Sequence, residues 1–470
     1  MVAEKAQKRD VMFDLAEHIV NTKYEALSPQ DREMVKKCVL DTLGTLVAGS
    51  AEPPFKQLMA YLKDQGGKEE STIMVYGGKV PTRNAVMANA AMARALDLDD
   101  THAVGIHPSV CMVPAAFGVA ERQGGKSGKE FMIAVALGQD LLLRMAAACN
   151  TIPTARGRCA SHIFGTFGTA AVAGKLLGLS KDKMVDALGN ANCQMTGDQA
   201  CLFDGALSQR VHQGIAASAG VFAAILADIG VIGSHIALEG WGGYYHAHEK
   251  GEYKREVLTD GLGKKFWGTS INVKPFPTQG GTHTPMSATL EMVLAEDIKP
   301  DDIEEIVVHT TQFNYDVVGS RPEKIDPKGA VHPKFSMPWA IGTIVAKRKA
   351  WIDDFSEEGV KKNREAVLPI ARKVKVVMDP EIEKVAKGEL RWRTRVEIRT
   401  KDGKLREKKL DYHKGHPKNP LTWEEMATRF RSCVPFAARP LPAGKVEEII
   451  RLVKDLEEVD DVTRIVKLLG

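Results

Sequence analysis

The stretch NAVMANAAMARALDLDDTHAVGIHPS occupies residues 84–109 and joins an alanine-rich segment to a polar loop. In its first half, apolar residues recur at spacings of three and four, which predicts a helix. A helix that is apolar around most of its circumference is generally buried. The stretch therefore predicts a helix inside a helix-on-helix core, followed directly by three aspartates and two histidines in a loop.

The same helical periodicity recurs from residue 10 to about residue 265. An irregular segment rich in Pro and Gly follows at 275–285, and residues 303–313, 373–379 and 391–400 then have the pattern of strands. Asp402-Gly403 predicts a hairpin turn after the third of these strands. The sequence turns helical again at Thr422 and Glu425, which have the spacing of a capping box.

We therefore predict a mainly α protein with two domains. A large all-helical domain comprises residues 1–268 and is completed by residues 413–470, because the C-terminal amphipathic helices need an apolar surface to cover. A smaller α+β domain, residues 269–412, is inserted between these two parts.

Composition argues against a nucleic-acid-binding, secreted or membrane-spanning protein. The 470 residues carry a net charge of only +4, which offers no basic surface for nucleic acid. Seven cysteines without a CxxC pair argue against disulfides and structural zinc and predict a cytoplasmic location. The N-terminal residues lack the apolar core of a secretory signal, and no apolar run is long enough to span a membrane.

The loop at 97–109 allows two interpretations. In the first, Asp99 or Asp100 caps the following turn, and His102 and His107 are ordinary loop histidines. In the second, Asp97, Thr101 and His107 converge on a site, because Gly105 lets the chain turn back and Pro108 favours extended backbone at His107. Three aspartates at the negative end of a helix dipole oppose stability, which favours a functional role.

Two other kinds of site are less consistent with the sequence. The five-residue spacing of His102 and His107 is not the same-face spacing of a helical zinc site, and no second ligand cluster is present, so we predict no metal. The segments GGKSGKE and FGTFGTAAVAG superficially resemble nucleotide-binding loops. The first lacks the leading glycine of a P-loop, and the second lacks a preceding strand.

Several ordered motifs together resemble the MmgE/PrpD family, which includes 2-methylcitrate dehydratase, cis-aconitate decarboxylase and iminodisuccinate epimerase. They span nearly the whole chain: KKCVLDTLGTLVAGS, ANAAMARALDLDDTHAVGIHPS, CASHIFGTFGTAAVAGKLLGLS, LSQRVHQGIAASAGVFAAILADIG, ALEGWGGYY, VKPFPTQGGTHTPMSA, PKFSMPWAIGTIVA and PLTWEEMATRF. The resemblance implies a helical domain built from both chain ends, an α+β lid over the active site, no metal or organic cofactor, and a homodimer.

The resemblance also implies the site residues. Asp97, Thr101 and His107 correspond to the family's catalytic motif, with Asp97 and His107 as an acid/base pair whose individual roles stay open and Thr101 orienting either. The implied carboxylate-binding residues are Lys274, His283, Arg210 and His212. Two positions depart from the family pattern, since Cys159 stands where a histidine is usual and Gln209 where a lysine is usual.

We expect a cofactor-independent lyase that acts on a small di- or tricarboxylate by removing a proton next to a carboxylate. Such a reaction needs a base and nearby cations, because negative charge builds on an anionic group. The first expectation is a hydro-lyase similar to 2-methylcitrate dehydratase. The departures at Cys159 and Gln209 leave open a decarboxylase or epimerase of a related acid, or a catalytically silent homologue.

Overall fold

A computed structural model describes residues 9–319, 321–329 and 331–470. Residues 1–8 lie outside the described residues. They begin the N-terminal segment for which the sequence predicts no secretory signal. The described chain is mostly helical, with two small sheets. Helix Gly128–Ala148 is the one helix in the described residues that is long and apolar enough to cross a membrane, but 94% of its apolar window is buried against other parts of the protein.

Helices dominate the first 260 residues, as the periodicity predicts. They are α1 (Met12–Asn21), α2 (Pro29–Gly49), α3 (Phe55–Asp64), α4 (Thr82–Arg94), α5 (Ser109–Arg122), α6 (Gly128–Ala148), α7 (Ala160–Leu177), α8 (Lys181–Asn192), α9 (Ala200–Asp204), α10 (His212–Asp228), α11 (Tyr244–Glu249) and α12 (Arg255–Thr259).

This part of the chain is not entirely helical, which corrects the prediction of an all-helical domain. Strands β1 (Ser71–Thr72) and β2 (Lys79–Val80) pair antiparallel. The turn between them uses Gly77 and Gly78, both at positive φ, and the Gly78 carbonyl accepts a hydrogen bond from Ile73 N.

Small residues let the central helices approach closely. A Cβ added to Gly214 of α10 would lie 2.4 Å from the Met87 carbonyl oxygen of α4, and one added to Gly220 would lie 2.4 Å from the Thr166 carbonyl oxygen of α7. Real side chains do not tolerate such distances, so glycine is required at both helix crossings. The close packing of α10 against α4 and α7 fixes the position of α4. The polar loop at 97–109 follows the C-terminal end of this helix.

The α+β part of the chain follows the predicted strand pattern. It contains α13 (His283–Ala295), β3 (Ile303–Thr310), α14 (Gln312–Val318), α15 (Pro322–Ile325), α16 (Met337–Lys347), α17 (Glu357–Ala371), β4 (Val374–Met378), α18 (Pro380–Val385), β5 (Thr394–Thr400) and β6 (Leu405–Leu410). The sheet order is β4-β3-β5-β6, with β3 and β4 parallel and the other pairs antiparallel. The hairpin predicted at Asp402-Gly403 joins β5 to β6.

The C-terminal helices are α19 (Trp423–Cys433), α20 (Ala443–Lys454) and α21 (Thr463–Leu469). The predicted capping box is present, because the Thr422 side chain accepts from Glu425 N while the Glu425 carboxylate accepts from Thr422 N. Apolar residues of these helices share one core with residues 11–273, whereas residues 276–398 contribute to a second core around the four-stranded sheet.

A short backbone pairing connects the polar loop to the beginning of the α+β part. Thr101 N donates to the Asn272 carbonyl oxygen at 2.9 Å, and Asn272 N donates to the Thr101 carbonyl oxygen at 2.7 Å. Lys274 follows two residues after Asn272, so this pairing brings its side chain back to the loop at 97–109.

Candidate active site

A cavity of about 460 Å³ lies where the loop after α4 meets the N-terminal turn of α7 and the α+β part of the chain. Its volume falls within the range of small-molecule sites. Five of the nine residues predicted for the site line it: Asp97, Thr101, His107, Cys159 and Lys274.

The inner wall of the cavity is an ion-pair cluster at the end of α4. Asp97 adopts a left-handed conformation with φ of 53°, which ends the helical turn and directs the chain back towards Arg94. Arg94 Nη1 hydrogen-bonds to the Asp97 carboxylate and, at 2.8 Å, to Asp99 Oδ1. The Arg94 guanidinium therefore compensates the negative charge that the sequence gathers at this helix terminus.

Lys274, at the beginning of the α+β part of the chain, completes this ion-pair cluster. Its Nζ donates to the Asp97 carbonyl oxygen at 2.7 Å and lies 3.2 Å from Asp97 Oδ1, and the side chain is almost fully buried. Burial by itself raises the pKa of Asp97, but Lys274 and Arg94 more than offset that effect and hold the pKa well below its usual range. Asp97 is thus an ionised carboxylate bound to two cations.

His107 is oriented by hydrogen bonding at one ring nitrogen. Nδ1 lies 2.9 Å from the Asp100 carbonyl oxygen and 3.0 Å from Asp99 Oδ2. Both neighbours are acceptors, so Nδ1 carries the hydrogen and Nε2 of the neutral ring carries a lone pair. Nε2 has no hydrogen-bond partner among residues 9–319, 321–329 and 331–470, and the ring lines the cavity.

The protonation state of His107 suits a base. Burial lowers the pKa of His107, although the Asp99 carboxylate acts in the opposite direction. The ring is therefore neutral near pH 7, with its unprotonated nitrogen available. An imidazole whose Nδ1–H is oriented by a carboxylate is the arrangement expected of a general base.

The first interpretation of the loop is confirmed for two of its residues. Asp100 caps the N-terminal end of α5, since its carboxylate accepts from Ser109 N at 3.1 Å and from the Ser109 hydroxyl. His102 is held by Ser270 Oγ, 2.8 Å from its Nε2, and does not line the cavity. Thr101 lines the cavity, and its hydroxyl donates to the Ile106 carbonyl oxygen at 3.2 Å.

Two residues expected to bind the substrate, Arg210 and Gln209, are not among the residues that line the cavity. Arg210 Nη2 lies 2.6 Å from Glu52 Oε2, and its Nη1 donates to the Pro53 carbonyl oxygen at 2.5 Å. Gln209 is buried in the helical turn Leu207–Arg210 and does not line the cavity. That these two residues contact substrate stays a prediction.

The two remaining histidines also lie outside the lining of the cavity. His212 packs edge-on against His162, and its Nε2 is 3.7 Å from Cys201 Sγ. His283 is fully buried at the start of α13 and packs against Phe276 and His413. Contact of these two imidazoles with substrate stays a prediction.

Cys159 lies at the beginning of α7, where it lines the cavity. Burial raises the pKa of its thiol, so Cys159 is a neutral, weakly polar group at neutral pH. Its one side-chain hydrogen-bond partner in the described residues is the Gln213 amide, whose Nε2 is 3.8 Å from Sγ. A histidine at this position would present a second imidazole to the cavity.

Sequence reasoning missed four cations that line the cavity, Arg94, Arg321, Lys324 and Arg391, and the buried Lys334 near it. Arg94 had a visible signal, because it is the only charged side chain between Asn84 and Leu96. Arg391 lines the cavity, and Lys334 is buried beside it without an ion-pair partner in the described residues. Burial lowers the pKa of Lys334 to about 8 and that of Arg391 to about 10. Lys334 lies within the quoted motif PKFSMPWAIGTIVA but was not selected from it, and Arg391 lies in none of the quoted motifs.

The donors at the inner wall have the composition of a possible metal site. Ligand atoms of Asp97, Asp99 and His107 lie within 4.8 Å of one another. Arg94 and Lys274 already occupy this carboxylate cluster, and a metal cation would have to displace them or bind against their charge. The donor set therefore fits an internal ion-pair network better than a metal centre.

The sequence places this chain in a family of known proteins. It belongs to the MmgE/PrpD family: the model of the N-terminal domain matches residues 13–256, and that of the C-terminal domain matches residues 276–458.

Three curated relatives show how far this similarity extends. The cis-aconitate decarboxylase-like protein oryM of Aspergillus oryzae is 25% identical over 488 residues, covering 100% of this chain and 99% of the relative. The cis-aconitate decarboxylase of Aspergillus terreus is 25% identical over 490 residues, covering 100% and 97%. The cis-aconitate decarboxylase of Homo sapiens is 26% identical over 452 residues, covering 92% and 89%.

Proposed function

We propose that this protein is a cofactor-independent lyase that removes a proton next to a carboxylate of a small di- or tricarboxylate. The observation that carries the proposal is the geometry of His107: its Nδ1–H is held by acceptors, while its Nε2 lone pair is unpartnered at the cavity. Proton transfer by a positioned imidazole contributes typically about 10²–10⁴-fold to a rate.

Lys274 stabilises the negative charge that develops on the substrate. Its ammonium has three hydrogens, of which two are directed at the carbonyl and carboxylate oxygens of Asp97. The third is available to a substrate carboxylate in the cavity. As the carbon beside that carboxylate loses its proton, charge moves onto the carboxylate oxygens, where a buried cation acts most strongly.

Asp97 has a different role from the acid or base expected from sequence. Because it stays ionised, it has no proton to donate, and its ion pairs with Arg94 and Lys274 make it a weak base. In our proposal, Asp97 positions the Lys274 ammonium, and His107 alone transfers the proton.

Dehydration follows from this arrangement without another residue. His107 Nε2 takes the proton from carbon, the carbon–oxygen bond of the neighbouring hydroxyl breaks, and the imidazolium returns its proton to the departing group as water. Decarboxylation is the second candidate, because the relatives of this chain are named cis-aconitate decarboxylases. Epimerisation and a silent homologue remain alternatives from the sequence.

The experiment is a screen of the full-length protein against citrate, 2-methylcitrate and cis-aconitate in D₂O, followed by proton NMR. We expect one acid to lose water or CO₂, or to exchange a carbon-bound proton for deuterium. Product spectra separate the dehydratase from the decarboxylase and the epimerase. Absence of both turnover and exchange with all three acids would favour the silent homologue.

The arrangement of the chain is a related proposal. We propose a helical domain of residues 1–268 completed by residues 413–470, with residues 269–412 as an inserted lid domain. The two separate apolar cores support this division. Seven cysteines without a disulfide support the proposed cytoplasmic location.

We also propose a homodimer. Large apolar side chains are exposed along α10 and in the segment after it, including Ile215, Ile229, Ile232 and Trp241, of which Trp241 is 82% exposed. Exposed apolar groups of this size, clustered along the chain, are typical of an association surface.

A further inference from the structure

The inner wall of the cavity does not by itself supply net positive charge. Arg94 and Lys274 contribute two positive charges, and Asp97 and Asp99 contribute two negative charges, in direct contact with one another. With His107 neutral, this cluster has no net charge. A substrate that carries two or three carboxylates therefore needs a further cation in the cavity.

Arg391 is a half-buried cation that meets this need; Arg321 and Lys324 also line the cavity, but Arg391 is the one of these three with a hydrogen bond to the described loop at 97–109. It lies between the end of α18 and β5, and its guanidinium carbon is 4.9 Å from the ring centroids of both Phe313 and Trp392. All three residues line the cavity. No ion pair joins Arg391 to a carboxylate that the structure describes, and its one side-chain hydrogen bond in the described residues runs from Nη1 to the Ala103 carbonyl oxygen at 2.9 Å.

The Arg391 guanidinium reaches the loop at 97–109 because Gly105 has no side chain. Gly105 has φ of 78°, and a Cβ at this position would lie 3.1 Å from Arg391 Nη1 and 3.5 Å from Nη2. Arg391 thus touches the loop two residues before His107. Its aromatic neighbours hold the guanidinium plane in place without neutralising its charge.

We propose that Arg391 binds a second substrate carboxylate, distinct from the one beside the reacting carbon, and thereby selects polycarboxylates over monocarboxylates. A carboxylate is the ligand that matches a guanidinium fork, because two parallel N–H groups donate to its two oxygens. Binding also supplies the counterion that this half-buried cation lacks in the described chain. Because the same guanidinium contacts the Ala103–Gly105 backbone, a bound carboxylate is held in fixed position relative to His107.

The proposal rests on the proposed function for the identity of the ligand, but equilibrium binding tests it without turnover. The probe is propane-1,2,3-tricarboxylate, which has neither a hydroxyl group to lose nor a double bond. Its dissociation constant is measured by isothermal titration calorimetry for the wild type, Arg391→Met and Arg391→Lys. Methionine keeps apolar contact with Phe313 and Trp392, whereas lysine keeps the charge but loses the planar fork.

We expect Arg391→Met to weaken binding of the tricarboxylate by about 10–100-fold, the loss typical of a charged hydrogen-bonding partner. Arg391→Lys should lie between Arg391→Met and the wild type. Butanoate, which has one carboxylate, should bind all three proteins equally. The matched control is Arg393→Met, because Arg393 pairs with Asp411 and does not line this cavity; its affinity for the tricarboxylate should equal that of the wild type.

Three results would overturn the proposal: no tricarboxylate binding by the wild type, equal binding by Arg391→Met, or parallel losses for the tricarboxylate and butanoate. Parallel losses would show that Arg391 only supports the loop. The outcomes separate this proposal from the proposed function. Arg391-dependent binding without turnover of any acid would refute the lyase alone, while turnover with binding independent of Arg391 would refute this inference alone.

Discussion

Replacing His107 by asparagine tests the central step of the proposed reaction. The asparagine amide can donate to the Asp100 carbonyl oxygen in place of Nδ1–H, which lies 2.9 Å from that oxygen in the wild type. What the substitution removes is the Nε2 lone pair. Since a positioned general base is worth about 10²–10⁴-fold, we expect kcat to fall by that factor, or about 3–5 kcal/mol of transition-state stabilisation.

The assay is the rate of water or CO₂ loss, or of deuterium exchange, with the acid that the wild type accepts. The Michaelis constant should change little, because Lys274 and Arg391 are intact. His102→Asn is the matched control: His102 is on the same loop and buried, but hydrogen-bonds to Ser270 outside the cavity. If His107→Asn folds with wild-type thermal stability and keeps more than about a tenth of the wild-type kcat, the assignment of the base is wrong.

Three further predictions concern pH, packing and assembly. The lowered pKa of His107 keeps the base neutral at pH 7, so kcat/KM should decline only as pH falls below 6.5; Asp99→Asn should move this decline to lower pH, because it removes the carboxylate that favours the protonated ring. An unchanged profile in Asp99→Asn would contradict that coupling. Gly138→Ala should destabilise by about 1–3 kcal/mol in urea unfolding, because its Cβ would lie 2.4 Å from Val172 Cγ2 and 2.8 Å from the Gly168 carbonyl oxygen. Gly444→Ala, in a helical turn with no atom within 4 Å, should not destabilise, and equal losses at both positions would argue against the packing explanation. Trp241→Glu should convert a dimer to a monomer in sedimentation, while Tyr61→Glu, also exposed, should not; a monomeric wild type would refute the dimer.

Much of the fold was predictable because it depends on local patterns. The three-and-four periodicity identified the helical part of the chain, and alternation identified β5 with its hairpin to β6. The exception was the pair β1–β2, whose strands of two residues are too short for alternation to show. The loop at 97–109 was also identified from sequence, since polar residues that oppose a helix dipole are visible without a structure.

The substrate-binding residues were less predictable than the loop, because two arginines have the same side chain and differ only in the tertiary contacts that each one makes. Arg210 ends the short helical turn Leu207–Arg210, and Arg391 lies between α18 and β5. Arg210 binds Glu52 and the Pro53 carbonyl group. Arg391 lines the cavity and has no carboxylate partner in the described chain. No local pattern distinguishes these cases, so the resemblance to a family motif selected Arg210 and passed over Arg391.

The sequence by itself determined most of the helices and strands, which loop is the candidate site, and that His107 lies between Gly105 and Pro108. Only the tertiary structure decided which charges meet. Lys274 lies 177 residues from Asp97 along the chain, and Arg391 lies 288 residues from Ala103. Periodicity describes neighbours within a few residues, whereas contacts at such separations depend on how the helices pack and where the α+β part of the chain lies against them.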